Sequence, residues 1–208
     1  AEKCVAKILT ASEESCRLKN RKKIEIVGHG IDTDFFKSLP SRANYQASDI
    51  FKILAVGRIS PIKNLDILIE GINILVNSKN IKDIKVRLIG SPLEDFEKEY
   101  CEKLKQLITE KKLTNYVEFL GGRPHREMAG IYQGNNLLVN LSPTGGVDKV
   151  VLEAMACAIP VLVCNTTFKE SFGDYAAVLI FQERNPQDLA QKILDLRNSN
   201  MMAIGDYL

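Results

Sequence analysis

The stretch FKILAVGRISPIKNLDILIEGINILV, Phe51 to Val76, decides the fold class. FKILAVG is an apolar run ended by glycine, the pattern of a strand buried on both faces. Behind it, Leu65, Leu68, Ile69, Ile72, Leu75 and Val76 recur at i, i+3, i+4 and i+7 spacing and make one apolar helix face. A buried strand feeding an amphipathic helix through a short loop is the first half of a β-α-β unit, which calls for a parallel neighbour.

Outward from this stretch the rhythm repeats. KVRLIG reads as a second strand, followed by a charged helix from about Glu94 to Lys112. VEFLG is a third strand, with a short helix near Arg126–Tyr132, and NLLVNLS is a fourth. A helix after Gly146 leads to two more apolar runs, PVLVC and AAVLIF, both read as strands. Asn185-Pro186-Gln187-Asp188 opens a last helix with a capping residue, proline at the first helical position and an acid in the first turn. The fold class expected is α/β, a doubly wound parallel sheet of Rossmann-like type, with its ligand beyond the carboxyl ends of the strands.

The first 45 or so residues follow this rhythm less cleanly. KCVAKILTASEESCRL reads as a strand end, a Ser/Thr turn and a helix start, and IEIVGHGIDTDFF as a strand and a turn built on Gly28 and Gly30. SLPSRANYQASD has linker composition. Residues 1–45 are therefore set apart from a principal domain over 46–208.

Bulk properties narrow the function classes. The chain has 208 residues, 45% hydrophobic and 26% charged, which suits a soluble domain with a substantial core. A formal net charge of +2 gives no ground for a nucleic-acid partner, and the basic run Lys19, Arg21, Lys22, Lys23 lacks interleaved aromatics. Five scattered cysteines without metal-ligand spacing point to reduced thiols and a cytoplasmic location. No stretch reaches the roughly 18 apolar residues of a membrane span, and the first residues carry no signal-peptide pattern. The absence of an initiating Met fits a piece of a longer protein.

Three strand-end loops hold the residues that can carry chemistry. In GRISPIKN, Gly57 admits close backbone approach, while Arg58 and Lys63 stand where the next helix begins. Cations there oppose the helix dipole, a placement that is easier to understand if an anion normally fills the gap. In LGGRPHREM, Gly121 and Gly122 free the backbone before Arg123-Pro124. In SPTGGVDKVVLEAMACAIPVLV, Gly145 and Gly146 precede a helix whose exposed amides form a second anion nest. Val147, Val151, Ala154 and Met155 make that helix's core stripe. Glu153 falls off it, either reaching back toward the glycines or pairing with Lys149. No Walker A, GxSxG or HExxH pattern is present, nor a GxGxxG after the first strand.

Taken in order, these stretches resemble the C-terminal half of retaining glycosyltransferases of family 4, the group 1 enzymes of GT-B fold. GHGIDTDFF is similar to the family's hinge element, and ILAVGRISPIKNLDILIEGINIL to its phosphate-binding strand, loop and helix. VEFLGGRPHREMAGIY resembles the base-binding region, and LSPTGGVDKVVLEAMACAIPVLV the signature helix with two glutamates eight residues apart. The resemblance implies a donor-binding domain at 46–208, with residues 1–45 the end of an N-terminal acceptor domain and hinge that is otherwise missing here.

By the same resemblance, Arg58 and Lys63 bind the donor diphosphate and stabilise the departing nucleotide without a metal, each such group being worth ~3–4 kcal/mol of barrier. Gly57 and the amides at Gly146 and Val147 assist the phosphates, backbone at Gly122 and Arg123 meets the base, and Glu153 binds the ribose hydroxyls. No cofactor is implied beyond the donor itself, a UDP-, GDP- or ADP-linked sugar. Peripheral membrane contact by the full-length enzyme stays open, and the isolated fragment is expected to be inactive. The sequence departs from the pattern at Gly145, where the first glutamate would stand, and at Val147-Asp148, which replace Phe-Gly. Asp148, Lys149 or backbone alone would then meet the transferred sugar. Two further readings are a non-catalytic nucleotide- or phosphate-binding module, and an epimerase or phosphorylase on the same scaffold.

Overall fold

The computed structural model describes residues 4–11, 16, 18, 21–38 and 50–199. Two short strands, β1 (Ile8–Thr10) and β2 (Ile24–Ile26), pair in parallel with Ile8 opposite Ile24. The helix start expected after the Ser/Thr turn and most of the linker stretch lie outside the described residues.

The principal sheet has five parallel strands in the order β5-β4-β3-β6-β7. They are β3 (Phe51–Val56), β4 (Ile84–Ile89), β5 (Val117–Gly121), β6 (Leu137–Asn140) and β7 (Val161–Val163). Phe51, Ile53 and Leu54 of the central strand are wholly buried, as expected of a strand covered on both faces. β3 pairs in register with β4, Phe51 opposite Ile84, and on its other side with β6, Ile53 opposite Leu137.

The helix α1 (Leu65–Asn73) runs on through a π-helical turn at Ile74–Ser78. All six stripe residues from Leu65 to Val76 are buried. A Cβ on Gly71 would sit 3.3 Å from the Leu189 side chain, so a glycine lets α1 close on α7 (Pro186–Asn198). The charged helix is α2 (Asp95–Glu110), begun by a capping box in which Glu94 and Glu97 serve each other's backbone amides. The short helices α3 (Met128–Gln133) and α4 (Lys149–Ala156) follow β5 and β6. α7 opens as its sequence suggests: Asn185 Oδ1 accepts from the amides of Gln187 and Asp188.

AAVLIF departs from expectation. Ala176–Leu179 form α6, preceded by α5 (Lys169–Phe172), and only Ile180 bridges the sheet edge, in parallel to Val163. A short apolar run does not separate helix from strand by periodicity, and its two alanines favour helix. Leu179 and Phe181 are buried all the same.

From β3 the chain winds outward to β4 and β5, then returns to the other side of β3 as β6 and moves on to β7. The winding direction reverses between β3 and β6, and a crevice opens beyond the carboxyl ends of those two strands. Among the described residues no helix is long and apolar enough to cross a membrane.

Candidate functional site

The loop after β3 and the loop after β6 meet at this reversal. Gly57 leaves β3 with φ +148°, and Gly90 leaves β4 with φ +139°. A Cβ on Gly90 would lie 1.9 Å from the Gly57 carbonyl oxygen, so the two strand ends touch through bare backbone. The Lys63 stem crosses above: its Cε would be 3.4 Å from a Cβ at Gly57. One 3₁₀ turn, Pro61–Lys63, and a left-handed Asn64 aim this lysine across the crevice. Asn64 fixes the aim, since its Nδ2 donates to Leu141 O at 3.1 Å and its Oδ1 accepts from Arg184.

Lys63 Nζ donates to Ser142 Oγ at 2.7 Å and to Asp148 Oδ2 at 3.2 Å. The same Asp148 oxygen accepts from Asn140 Nδ2 at 2.8 Å and from Ser142 Oγ at 2.5 Å. Burial by itself would raise the Asp148 pKa, but the Ser142 and Asn140 hydrogen bonds and the Lys63 charge outweigh it and hold the carboxyl below its ordinary range. Asp148 occupies the N-cap of α4 without making a side-chain cap bond, so it does not take up the helix's first amides.

Arg58 is half exposed, and its Nε lies 3.1 Å from Oε1 of the fully buried Glu97. Burial works to raise the Glu97 pKa, yet the backbone amides of Leu93 and Glu94 and the Arg58 charge bring it below the usual carboxylate range. Both cations of the first loop thus have carboxylate partners inside the chain. Their position near a helix start does not by itself require an outside anion.

Of the other sequence candidates, Gly146 and Glu153 are tied in firmly. Gly146 O accepts from the buried Asn165 at 2.7 Å, and Thr144 Oγ1 accepts from the Thr166 amide at 3.1 Å. Val147 packs on the core, and Lys149 is exposed at the start of α4. Glu153 Oε2 accepts from Tyr132 Oη at 2.7 Å, and among the described residues it makes no ion pair with Lys149. Tyr132 is fully buried, and burial together with the Glu153 carboxylate pushes its pKa up, so it stays a donor. At Gly145 a Cβ would meet nothing within 4 Å and φ is not left-handed, so neither space nor backbone requires glycine there.

Gly122 N donates to Ser91 Oγ at 3.0 Å beside the ends of β4 and β5. The Arg123 side chain lies elsewhere: with Arg87, Arg126 and Ile131 it lines a cavity of about 460 Å³ along α3, which none of Arg58, Lys63, Asp148 or Glu153 lines. Sequence reasoning missed Asn140, Ser142, Tyr132 and Glu97. Two polar residues at the end of the apolar run LLVN were a usable signal for Asn140 and Ser142, and the Glu94-x-x-Glu97 spacing was one for Glu97.

The profile of the family described as glycosyl transferases group 1 matches residues 50–199. The chain belongs to this family. As a group 1 glycosyltransferase it is 28% identical over 197 residues to an uncharacterised glycosyltransferase of Methanocaldococcus jannaschii, covering 94% of this chain and 49% of that protein. Like that protein, the other first curated relatives it matches are about twice its length. In structure it resembles Anabaena HepE, crystallised with UDP and glucose, at a TM-score of 0.79 and 22% identity over 97% of this chain and 58% of HepE. The C-terminal domain of a Francisella tularensis glycosyl transferase group 1 protein superposes with a TM-score of 0.72 and 21% identity, over 85% of this chain and 93% of that one. These likenesses give the group 1 glycosyltransferase chain its fold, that of the GT-B enzymes.

Proposed function

We propose that this chain is the donor-binding C-terminal half of a glycosyltransferase that moves a sugar from a nucleoside-diphosphate sugar to an acceptor, with retention and without a metal. Residues 46–208 form the donor domain, and residues 1–45 the end of the acceptor domain and the hinge. The observation that carries this reading is Lys63, held across the β3–β6 reversal by Ser142 and Asp148 with a third N–H left over. A diphosphate in that crevice would meet the lysine and backbone at Gly57, with Arg58 the next residue of the same loop and α4 beginning directly after Asp148.

Bond cleavage leaves negative charge on the nucleotide's terminal phosphate, and a cation held in place beforehand stabilises it without reorganising. Lys63 and Arg58 fill that role, the amides at Gly146 and Val147 assist, and Glu153 accepts from the ribose hydroxyls. Backbone at Gly122 and Arg123 meets the base. Asp148 spends one oxygen on Lys63, Asn140 and Ser142. In this reading Asp148 acts on the donor through the lysine, and the sugar is assigned to Lys149 and backbone near Gly145. UDP is the first nucleotide to try, because HepE is described with UDP.

Calorimetric titration of this chain with UDP, GDP and ADP tests the site. One of them binds, and Arg58→Ala and Lys63→Ala each weaken it about tenfold or more, the loss expected for a charged hydrogen bond. No binding by any of the three, or equal binding by both variants, refutes the assignment. Glycine at 145, where the resemblance calls for a glutamate, favours a second reading, a binding module that has lost transfer. Incubating the full-length protein with a labelled nucleotide sugar and an acceptor extract separates them. Transfer supports the first reading, and binding without turnover supports the second.

A further inference from the structure

Tyr132 lies outside the three loops, yet it connects one of them to the amino-terminal segment. Its hydroxyl donates to Glu153 at 2.7 Å, and its ring meets Phe36 edge-on at 5.9 Å between centroids. Phe36 is 2% exposed and also touches His125 at 5.4 Å and Phe35 at 4.8 Å. Asp32 builds the turn that presents these two phenylalanines, its Oδ1 accepting from the amides of Asp34 at 3.1 Å and Phe35 at 3.0 Å. Gln133, next to Tyr132 on α3, donates to Lys37 O at 2.7 Å and pins the far end of the turn. Phe35 also stacks on His125, in the turn just before α3, at 5.6 Å between centroids. The segment 32–37 is thus seated on α3 by a ring and a hydrogen bond and on the preceding turn by a stacked imidazole, and Tyr132 carries that seating through to Glu153.

A glutamate on a partly exposed helix face samples several rotamers, and a ligand that needs one of them must order it first. Tyr132 removes that cost at one oxygen. The carboxylate keeps Oε1 and a lone pair on Oε2 for two incoming O–H donors, which is the demand of a vicinal diol. We infer that Tyr132 is a positioning residue, holding Glu153 ready for the ribose diol of the donor and making that grip depend on Phe36 being seated. The inference rests on the proposed role of Glu153.

Tyr132→Phe keeps the ring and removes only the hydroxyl. The test takes whichever of UDP, GDP and ADP binds tightest, its 2′,3′-dideoxy form and inorganic pyrophosphate, each titrated by calorimetry. In the unaltered chain the dideoxy nucleotide binds about tenfold more weakly than its parent. In Tyr132→Phe the parent loses about fivefold, the magnitude of one hydrogen bond, while the dideoxy form and pyrophosphate barely change. Phe36→Leu shifts the parent nucleotide in the same direction and leaves pyrophosphate alone. If Tyr132→Phe keeps the parent-to-dideoxy ratio while Glu153→Ala abolishes it, Tyr132 only fills space and the inference fails alone. If Glu153→Ala keeps the ratio too, the ribose assignment fails with it.

Discussion

Gly90 and Gly145 are both glycines at strand-end loops, and the structure gives them opposite burdens. At Gly90 the backbone is left-handed and a methyl group would sit inside the Gly57 carbonyl. Neither strand end has anywhere to go, because Gly57 N donates to Ile89 O and Gly90 N to Gly121 O. Gly90→Ala should cost roughly 2–5 kcal/mol, the sum of backbone strain and overpacking, read as a lower denaturation midpoint. Gly145→Ala, with open space and an ordinary backbone, should stay within about 0.5 kcal/mol of the unaltered chain by the same measurement. A Gly145→Ala loss as large as that at Gly90 would mean that the loop's backbone is tighter than its geometry indicates.

The elements were legible where a pattern acts locally. β3 and β6 were readable because a strand covered on both faces is apolar along most of its length, β4 because its apolar residues alternate with Lys85 and Arg87, and α1 because six positions share one face. α7 was legible in finer grain, since Asn185-Pro186 is a start signal with its own chemistry. Asn185→Ala removes the acceptor for two amides and should lower stability by about 0.5–2 kcal/mol, measurable by chemical denaturation. Asn185→Asp should recover most of that, because the carboxylate accepts the same bonds beside a favourable dipole. AAVLIF was misread because four to six apolar residues fit a buried helix as well as a strand. The site was half legible for a related reason. Arg58, Lys63 and Glu153 stand out by residue type and loop position. Ser142 meets Lys63 across 79 positions and Tyr132 meets Glu153 across 21, and no local pattern encodes such meetings.

Over the whole molecule, two carboxylates with lowered pKa values bind separate elements together. Asp148 joins the loop after β3 to the loop after β6, and Glu97 holds Arg58 while capping α2. A carboxyl whose folded pKa lies below its unfolded one adds stability that is complete above the unfolded value, about 4, and is lost as pH falls through the folded value. Thermal melts should therefore show no loss from these two groups between pH 8 and 5, and a decline below about pH 4. Asp148→Asn should lower the melting temperature at pH 7 and make the acid decline shallower, because one of the two titrating groups is gone. An acid decline of unchanged steepness in Asp148→Asn would show that Asp148 carries no such linkage.

Three adjacent strands, β5, β4 and β3, end in glycine at Gly121, Gly90 and Gly57. Along these three strands the sheet's carboxyl edge is consequently a ledge of naked peptide groups, with the Lys63 stem lying beside Gly57. Contacts made by peptide groups survive almost any exchange of side-chain chemistry around them. What such a ledge holds can be retuned by altering the side chains at its rim, and it can be obstructed from within by a single added methyl.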